Sequence, residues 1–252
     1  YASRKGKGTH KGLYRLGEYM HKQYRKNGID GYVLKCDISK YFYSIDHEVL
    51  KCLLSKYILD DKILSLTFKI IDSTEGNVGL PIGNQTSQWF AIFYMNGLDH
   101  FIKEKLKVKY YIRYMDDMVL IHEDKEYLKY CKEQIQEYLT INLKLKLNNK
   151  TQIFPLSNGV DFLGFHTYLT NTGKVIRKVR KDSKEKMKRK IKKFKKLYIA
   201  GEISKEQIKY SYSSWVGHAS HGNSYHLIEN INKKYKEIFE GDGLNGKINN
   251  KS

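Results

Sequence analysis

The 252-residue sequence predicts an α+β fold, and three observations carry that prediction. Stretches with apolar residues at helical spacing alternate with short apolar runs of strand length. Two such runs, 110–113 and 118–121, flank Tyr114-Met115-Asp116-Asp117 and read as a β-hairpin with acids at its tip. From Lys174 onward the chain turns into a basic helical module.

In chain order, residues 9–26 read as an aromatic-rich helix closed by Asn27-Gly28, and Asp30-Gly31 is a turn signal. Residues 32–38 form a largely buried strand. Asp46 reads as the N-cap of a helix whose stripe is Val49, Leu50, Leu53, Leu54 and Tyr57. A second short helix spans 60–72. The Gly/Pro-punctuated segment 76–83 leads into a helix over 85–106, with Phe90, Phe93, Tyr94, Leu98 and Ile102 at core spacing. After the hairpin come a helix over 124–139 and strand signals at 143–147, 151–154, 160–166 and 174–179. Residues 174–196 hold fourteen Lys or Arg against Asp182 and Glu185, and their spacing puts Met187, Ile191 and Phe194 on one helix face. The domain boundary falls near 174–181, and 241–252, rich in Gly, Asn and Lys, reads as a flexible tail.

With Lys+Arg 46 against Asp+Glu 27, the net charge of +19 points to a polyanionic partner, nucleic acid or an acidic membrane surface. No stretch approaches the roughly 20 apolar residues a membrane span needs, and the polar, basic opening lacks a signal-peptide pattern. Cys36, Cys52 and Cys131 are odd in number and lack metal-ligand spacing; they read as reduced core residues of a cytoplasmic protein. The start at Tyr1 in polar, Gly-rich sequence reads as that of a chain cut from a longer one.

Phosphoryl transfer to a primer 3′-hydroxyl needs two divalent cations about 3.5–4 Å apart. Hard magnesium ions demand clustered carboxylate oxygens. A strand ending at Asp37 and a turn bearing Asp116 and Asp117 would bring three carboxylates together across adjacent strands, a costly cluster without metal. Taken singly, Asp37 reads equally as a strand-end turn residue, and Asp116-Asp117 as a solvated turn.

Four segments in order resemble the reverse transcriptase family. Tyr114-Met115-Asp116-Asp117 resembles its palm motif and Lys35-Cys36-Asp37-Ile38-Ser39-Lys40-Tyr41-Phe42 its first acidic motif. Pro81-Ile82-Gly83-Asn84-Gln85-Thr86-Ser87-Gln88 is similar to the template- and nucleotide-contacting motif between them, and Phe162-Leu163-Gly164-Phe165 to the primer grip. The resemblance covers about residues 9–166. It implies that Asp37 and Asp116 coordinate two Mg2+ ions, with Mn2+ as a substitute, that the Ile38 carbonyl adds a ligand, and that Asp117 supports the site. Phe42 matches the steric gate that rejects a 2′-hydroxyl, with a core aromatic as the bland alternative. Lys150 falls where the family carries a lysine near the leaving pyrophosphate, and Gly164 would allow a close backbone approach to the primer.

Ile82 and Gln88 depart from the common Pro-Gln-Gly and Ser-Pro pattern and resemble enzymes of diversity-generating retroelements, which are error-prone at template adenines. Gly6-Lys7-Gly8-Thr9-His10 and Ser214-Trp215-Val216-Gly217-His218, with Asn223-Ser224, are similar to further segments of these and intron-type enzymes, His10 and His218 being structural or backbone-contacting. The implied architecture is a polymerase right hand: partial fingers at 1–30, a palm with remaining fingers at 31–173, whose antiparallel sheet packs on helices, and a basic helical thumb at 174–240. Family members carry triphosphate-holding basic residues in a finger segment upstream of Gly6, which leaves triphosphate binding by this chain alone open. The implied partners are template RNA, a DNA primer, the RNA–DNA hybrid, dNTPs and an accessory RNA-binding protein, with no membrane. Group II intron, retron and phage-defence reverse transcriptases are the competing enzyme readings, and an RNA-binding maturase-like factor the competing binder.

Overall fold

Strand β1 (Tyr32–Cys36) lies inside a four-stranded antiparallel sheet of order β2-β3-β1-β4, with β2 (Tyr110–Tyr114), β3 (Asp117–His122) and β4 (Gln152–Pro155). Strands β1, β2 and β3 read as apolar runs because they are largely buried on both faces of the sheet. Leu34, Cys36, Tyr111, Met118 and Leu120 join one core with Leu50, Tyr94, Leu98, Leu128 and Ile135. Val33, Ile112, Val119 and Ile121 alternate with them and point to the other side. Helix α1 (Thr9–Asn27), burying Leu13, Leu16 and Met20, packs on β2 and β3.

The structure is a computed structural model and describes residues 1–240; the expected tail at 241–252 lies outside the described residues. Helices α2 (His47–Ser55) and α3 (Asp61–Ile71) are capped by Asp46 and Asp60, whose side chains accept from the amides of Val49 and Ile63. Tyr57 falls beyond α2 and is 66% exposed, outside the stripe expected of it. The helix expected over 85–106 is broken into α4 (Gln85–Tyr94), α5 (Asn96–His100) and a π-turn over Phe101–Lys105. The break brings Gly97 so close to α6 (Lys125–Leu143) that an added Cβ would stand 2.5 Å from the Tyr138 hydroxyl. Helix α6 runs past the expected end at 139 and stops where Lys144 turns to φ +50, so 143–147 forms no strand and only Leu147 bridges to Ile38. Cys36 and Cys131 are buried free thiols, whereas Cys52 is exposed, contrary to its expected core position.

The chain divides into two compact units, Tyr1–Asn158 with Asn171–Gly173, and Gly159–Thr170 with the chain from Lys174 on. The division differs from a cut at 173/174 because β5 (Val160–Phe162) and β6 (Phe165–Leu169) hydrogen-bond in order β5-β6-β7 with β7 (Val175–Val179). The single strand expected over 160–166 is a hairpin: Leu163 and Gly164 adopt φ +49 and +87, the positive values a two-residue turn requires. Helices α7 (Lys181–Ile199), α8 (Lys205–Ala219) and α9 (Tyr225–Phe239) pack around Met187, Ile191, Phe194, Ile208, Ile231 and a stacked Tyr212–Tyr235 pair. Among the described residues, no helix is long and apolar enough to cross a membrane.

Candidate active site

The β2–β3 hairpin closes on the pair Tyr114↔Asp117, with Met115 at φ +53 in its two-residue turn. An ion pair between a buried arginine and a partly exposed aspartate braces it: Arg113, 8% exposed, donates from Nε to Asp99 Oδ1 at 2.7 Å and from Nη1 to the Met115 carbonyl at 3.0 Å. The Tyr111 hydroxyl donates to the same Asp99 oxygen at 2.7 Å. Burial works to lower the Arg113 pKa, and Asp99 outweighs it so that the net shift is upward. Sequence reasoning passed over Arg113 and Asp99; the available signal was an arginine inside an apolar strand run.

The pair Cys36↔Met118 of β1 and β3 puts Asp37, one residue on, beside Asp117. The loop after residue 147 holds Asp37 in place. Asn148 donates its backbone N–H to the Asp37 carbonyl at 2.8 Å and its side-chain amide to Asp37 Oδ2, while the Asp37 amide donates to Thr151 Oγ1 at 3.4 Å. Asn148 and Thr151 are positioning groups that the sequence reading did not single out.

The three carboxylates feel one another. Burial raises the Asp116 pKa, and Asp37 adds to the rise by charge and by a side-chain hydrogen bond. Burial also pushes Asp117 up to about 6; Lys35, 3.7 Å from Asp117 Oδ2, opposes the shift, and the charges of Asp37 and Asp116 reinforce it. Asp117 Oδ1 is buried without a hydrogen-bond partner. Among the described residues, no group of three or more His, Cys, Asp or Glu side chains forms a cage that could hold a metal ion. Magnesium needs no such cage, since it is commonly held by one or two carboxylates with substrate phosphates and water. Hard oxygen donors, mutual repulsion and an orphaned carboxylate oxygen fit a divalent cation.

Phe42 sits in a 3₁₀ turn over Tyr41–Tyr43, half-buried against the main core and edge-on to Tyr41 at 5.8 Å between centroids. The Leu80 amide donates to the Phe42 carbonyl at 2.8 Å, which ties the Pro81-Ile82-Gly83 segment to that turn. Ile82 is 69% exposed, Gly83 has φ +105, and Gln88 on α4 accepts from the Ser3 hydroxyl at 3.1 Å. Lys150 lines an open pocket with Lys144, Lys146, Ser39 and Ser44.

Phe162, Leu163 and Gly164 belong to the C-terminal unit, where Phe162 is buried and the other two form the β5–β6 turn. The close neighbour of Gly164 within this unit is His218, whose Nε2 would stand 3.0 Å from an added Cβ. The His218 ring packs on Phe165 at 4.6 Å, and burial lowers its pKa. Asn223 pins β7 by accepting from the Arg177 amide at 2.9 Å and donating its own amide to the Arg177 carbonyl at 2.6 Å. The Trp215–His218 and Asn223 segments therefore have structural work within this unit.

Residues 1–167 match the family described as reverse transcriptase (RNA-dependent DNA polymerase). This chain belongs to the reverse transcriptase family. Reverse transcriptase domains depend in general on divalent metal. The chain is also similar to the telomerase of Candida albicans in complex with a TWJ fragment of telomeric RNA. That match has a TM-score of 0.53 at 13% identity and covers 94% of this chain and 50% of that one. The apo telomerase of Candida tropicalis truncated from its C-terminal domain gives 0.50 at 20% identity, covering 64% of this chain and 38% of that one. The chain thus spans half or less of these telomerases. These likenesses agree with an α+β right-hand polymerase palm. No curated protein matches the chain.

Proposed function

We propose that this chain is the catalytic part of an enzyme that copies RNA into DNA, joining deoxynucleotides to a primer 3′-hydroxyl. The observation that carries the reading is the mutual influence of the Asp37, Asp116 and Asp117 charges beside a buried Asp117 Oδ1 that has no partner. Asp37 and Asp116, with the Ile38 carbonyl, would hold two divalent ions, magnesium or manganese, and Asp117 would support them. Bound there, such ions supply activation of the attacking hydroxyl and charge neutralisation at the leaving pyrophosphate. The chain's own residues do the positioning. Arg113 and Asp99 brace the hairpin turn, Asn148 and Thr151 hold Asp37, and Lys35 offsets part of the local negative charge. Phe42 would close the space a 2′-hydroxyl needs, Lys150 would face the leaving pyrophosphate, and the Phe162-Leu163-Gly164 turn would meet the primer strand. The basic face of α7 would follow the phosphate backbone of the hybrid.

Within that activity we infer a diversity-generating retroelement. Support comes from Ile82, which stands exposed where many relatives present an amide, and from Gln88 in place of proline. An alkyl side chain offers the nascent base pair no polar contact, and that loosens geometric selection. The partners under this reading are template RNA, a DNA primer and dNTPs, with an accessory RNA-binding protein, in the cytoplasm.

Primer extension on an RNA template tests the activity: Asp116→Ala should abolish extension while template–primer binding persists. No extension by the wild-type protein at full length would favour an RNA-binding factor instead. For the subtype, Ile82→Gln should lower misincorporation at template adenines about tenfold, roughly the worth of one polar contact. An unchanged rate would reject it.

A further inference from the structure

We propose that His47 is a positioning residue for nucleotide selection: its buried imidazole locks the backbone that carries Ile82 against the turn that carries Phe42. The inference rests on the polymerase reading above and adds a residue that does not touch the nucleotide.

His47 opens α2 and is 2% exposed. A polar ring buried that deeply is costly unless its polar atoms are used, and an aliphatic side chain would fill the same space without that cost. One atom is clearly used: Nε2 lies 2.6 Å from the Gly79 carbonyl, and since a carbonyl only accepts, Nε2 carries the proton and donates. On the other side of the ring, Nδ1 lies 3.8 Å from Asp72 Oδ1, a carboxylate held by Lys51 at 2.8 Å.

Backbone bonds lace the same two segments together. The His47 amide donates to the Asn77 carbonyl at 3.0 Å, Gly79 to Ile45 at 2.8 Å and Leu80 to Phe42 at 2.8 Å, and Asp46 bridges Val78. The lacing stops there, because Pro81 has no N–H to continue it. Ile82 follows with its side chain 69% exposed, so its place is set by the backbone behind it. That backbone turns at Gly79, whose φ of +97 a glycine holds without strain. His47 grips the carbonyl of this residue. Release of that carbonyl would let the 81–83 segment move relative to Phe42, and the two sides of the proposed nucleotide pocket would lose register.

The test compares His47→Leu, of similar volume without a donor, with His47→Gln, whose amide nitrogen stands at the reach of Nε2. In His47→Leu, the Gly79 and Leu80 amides should exchange with solvent at least about tenfold faster, the worth of one buried hydrogen bond. The KM for dNTP should rise and discrimination against ribonucleotides and mispairs should fall, each by about tenfold, with kcat and template–primer affinity little changed. His47→Gln should recover most of both. A lower melting temperature with unchanged discrimination would overturn the proposal and leave His47 a folding residue; unchanged amide exchange would overturn it too. Should His47→Leu fail to fold, His47→Asn, whose amide falls short of the carbonyl, takes its place with the same expected losses. Wild-type protein that makes no DNA would refute the polymerase reading and with it the selective role of His47, whereas the exchange data report separately on the lock.

Discussion

At Asp117 burial and charge work against the folded state when no cation is present. The carboxylate is pushed up to about 6, chiefly by burial and then by Asp37 and Asp116 against the pull of Lys35, and its Oδ1 has no partner. A neutral amide of the same shape removes the repulsion and keeps a group for Lys35 to meet. We expect Asp117→Asn to stabilise the metal-free protein by about 1–2 kcal/mol, in line with roughly one pKa unit of relieved repulsion per 1.4 kcal/mol. Thermal unfolding in a chelator should show the gain, and added magnesium should raise the wild-type midpoint more than that of the variant. A variant less stable than wild type in chelator would contradict this account of the site.

At the level of the element, α2 depends on Asp46 for both its start and its anchorage. The Asp46 side chain accepts from the Val49 amide at 3.0 Å and pairs with Lys144 Nζ at 2.7 Å. Burial acts to raise its pKa, but the bonds from Lys144 and Val49 outweigh burial and hold it below the usual aspartate range. A folded-state value below the unfolded one gives stability that is present above about pH 3.9, the unfolded value, and lost as pH falls through the folded value. Asp46→Ala should therefore cost about 1–2 kcal/mol at neutral pH, the usual worth of an N-cap with a partner. Denaturant titrations of the two proteins should converge only as pH falls through that folded value, below the usual aspartate range. Because α2 begins with His47, its fraying would also loosen the 77–80 segment.

Across the whole molecule the surplus of +19 is the dominant physical fact. Helix α7 concentrates it: Met187, Ile191 and Phe194 face inward, while Lys192, Lys193 and Lys196 are exposed. If this face neutralises phosphates, log affinity for an RNA–DNA hybrid should fall linearly with log salt. Changing Lys192, Lys193 and Lys196 to Gln should reduce that slope by about 2–3, near one unit per lost phosphate contact. Equal slopes for the wild type and the triple variant would remove α7 from the nucleic-acid surface.

Much of this was open to reading from the chain itself, wherever a short stretch carries its own physics. The helices α1, α2, α3 and α7, the cap Asp46, and the β2–β3 hairpin follow from local periodicity, capping and turn chemistry, and the motif order around Asp37 and Asp116-Asp117 pointed to the family. What depended on distant partners was not legible. The Leu163-Gly164 hairpin hid inside an apolar run, the 85–106 helix broke where Gly97 meets Tyr138, and β5 and β6 left the N-terminal unit because their hydrogen-bond partner is β7. The acids are local signals, but their supports are not: Asn148 reaches Asp37 across 111 positions, and Arg113 reaches Asp99 across 14. Sequence alone determined which groups could do the chemistry, since residue type and short spacing are local properties. Only the tertiary structure decided what holds them, because burial and pairing arise when segments far apart in the chain pack together.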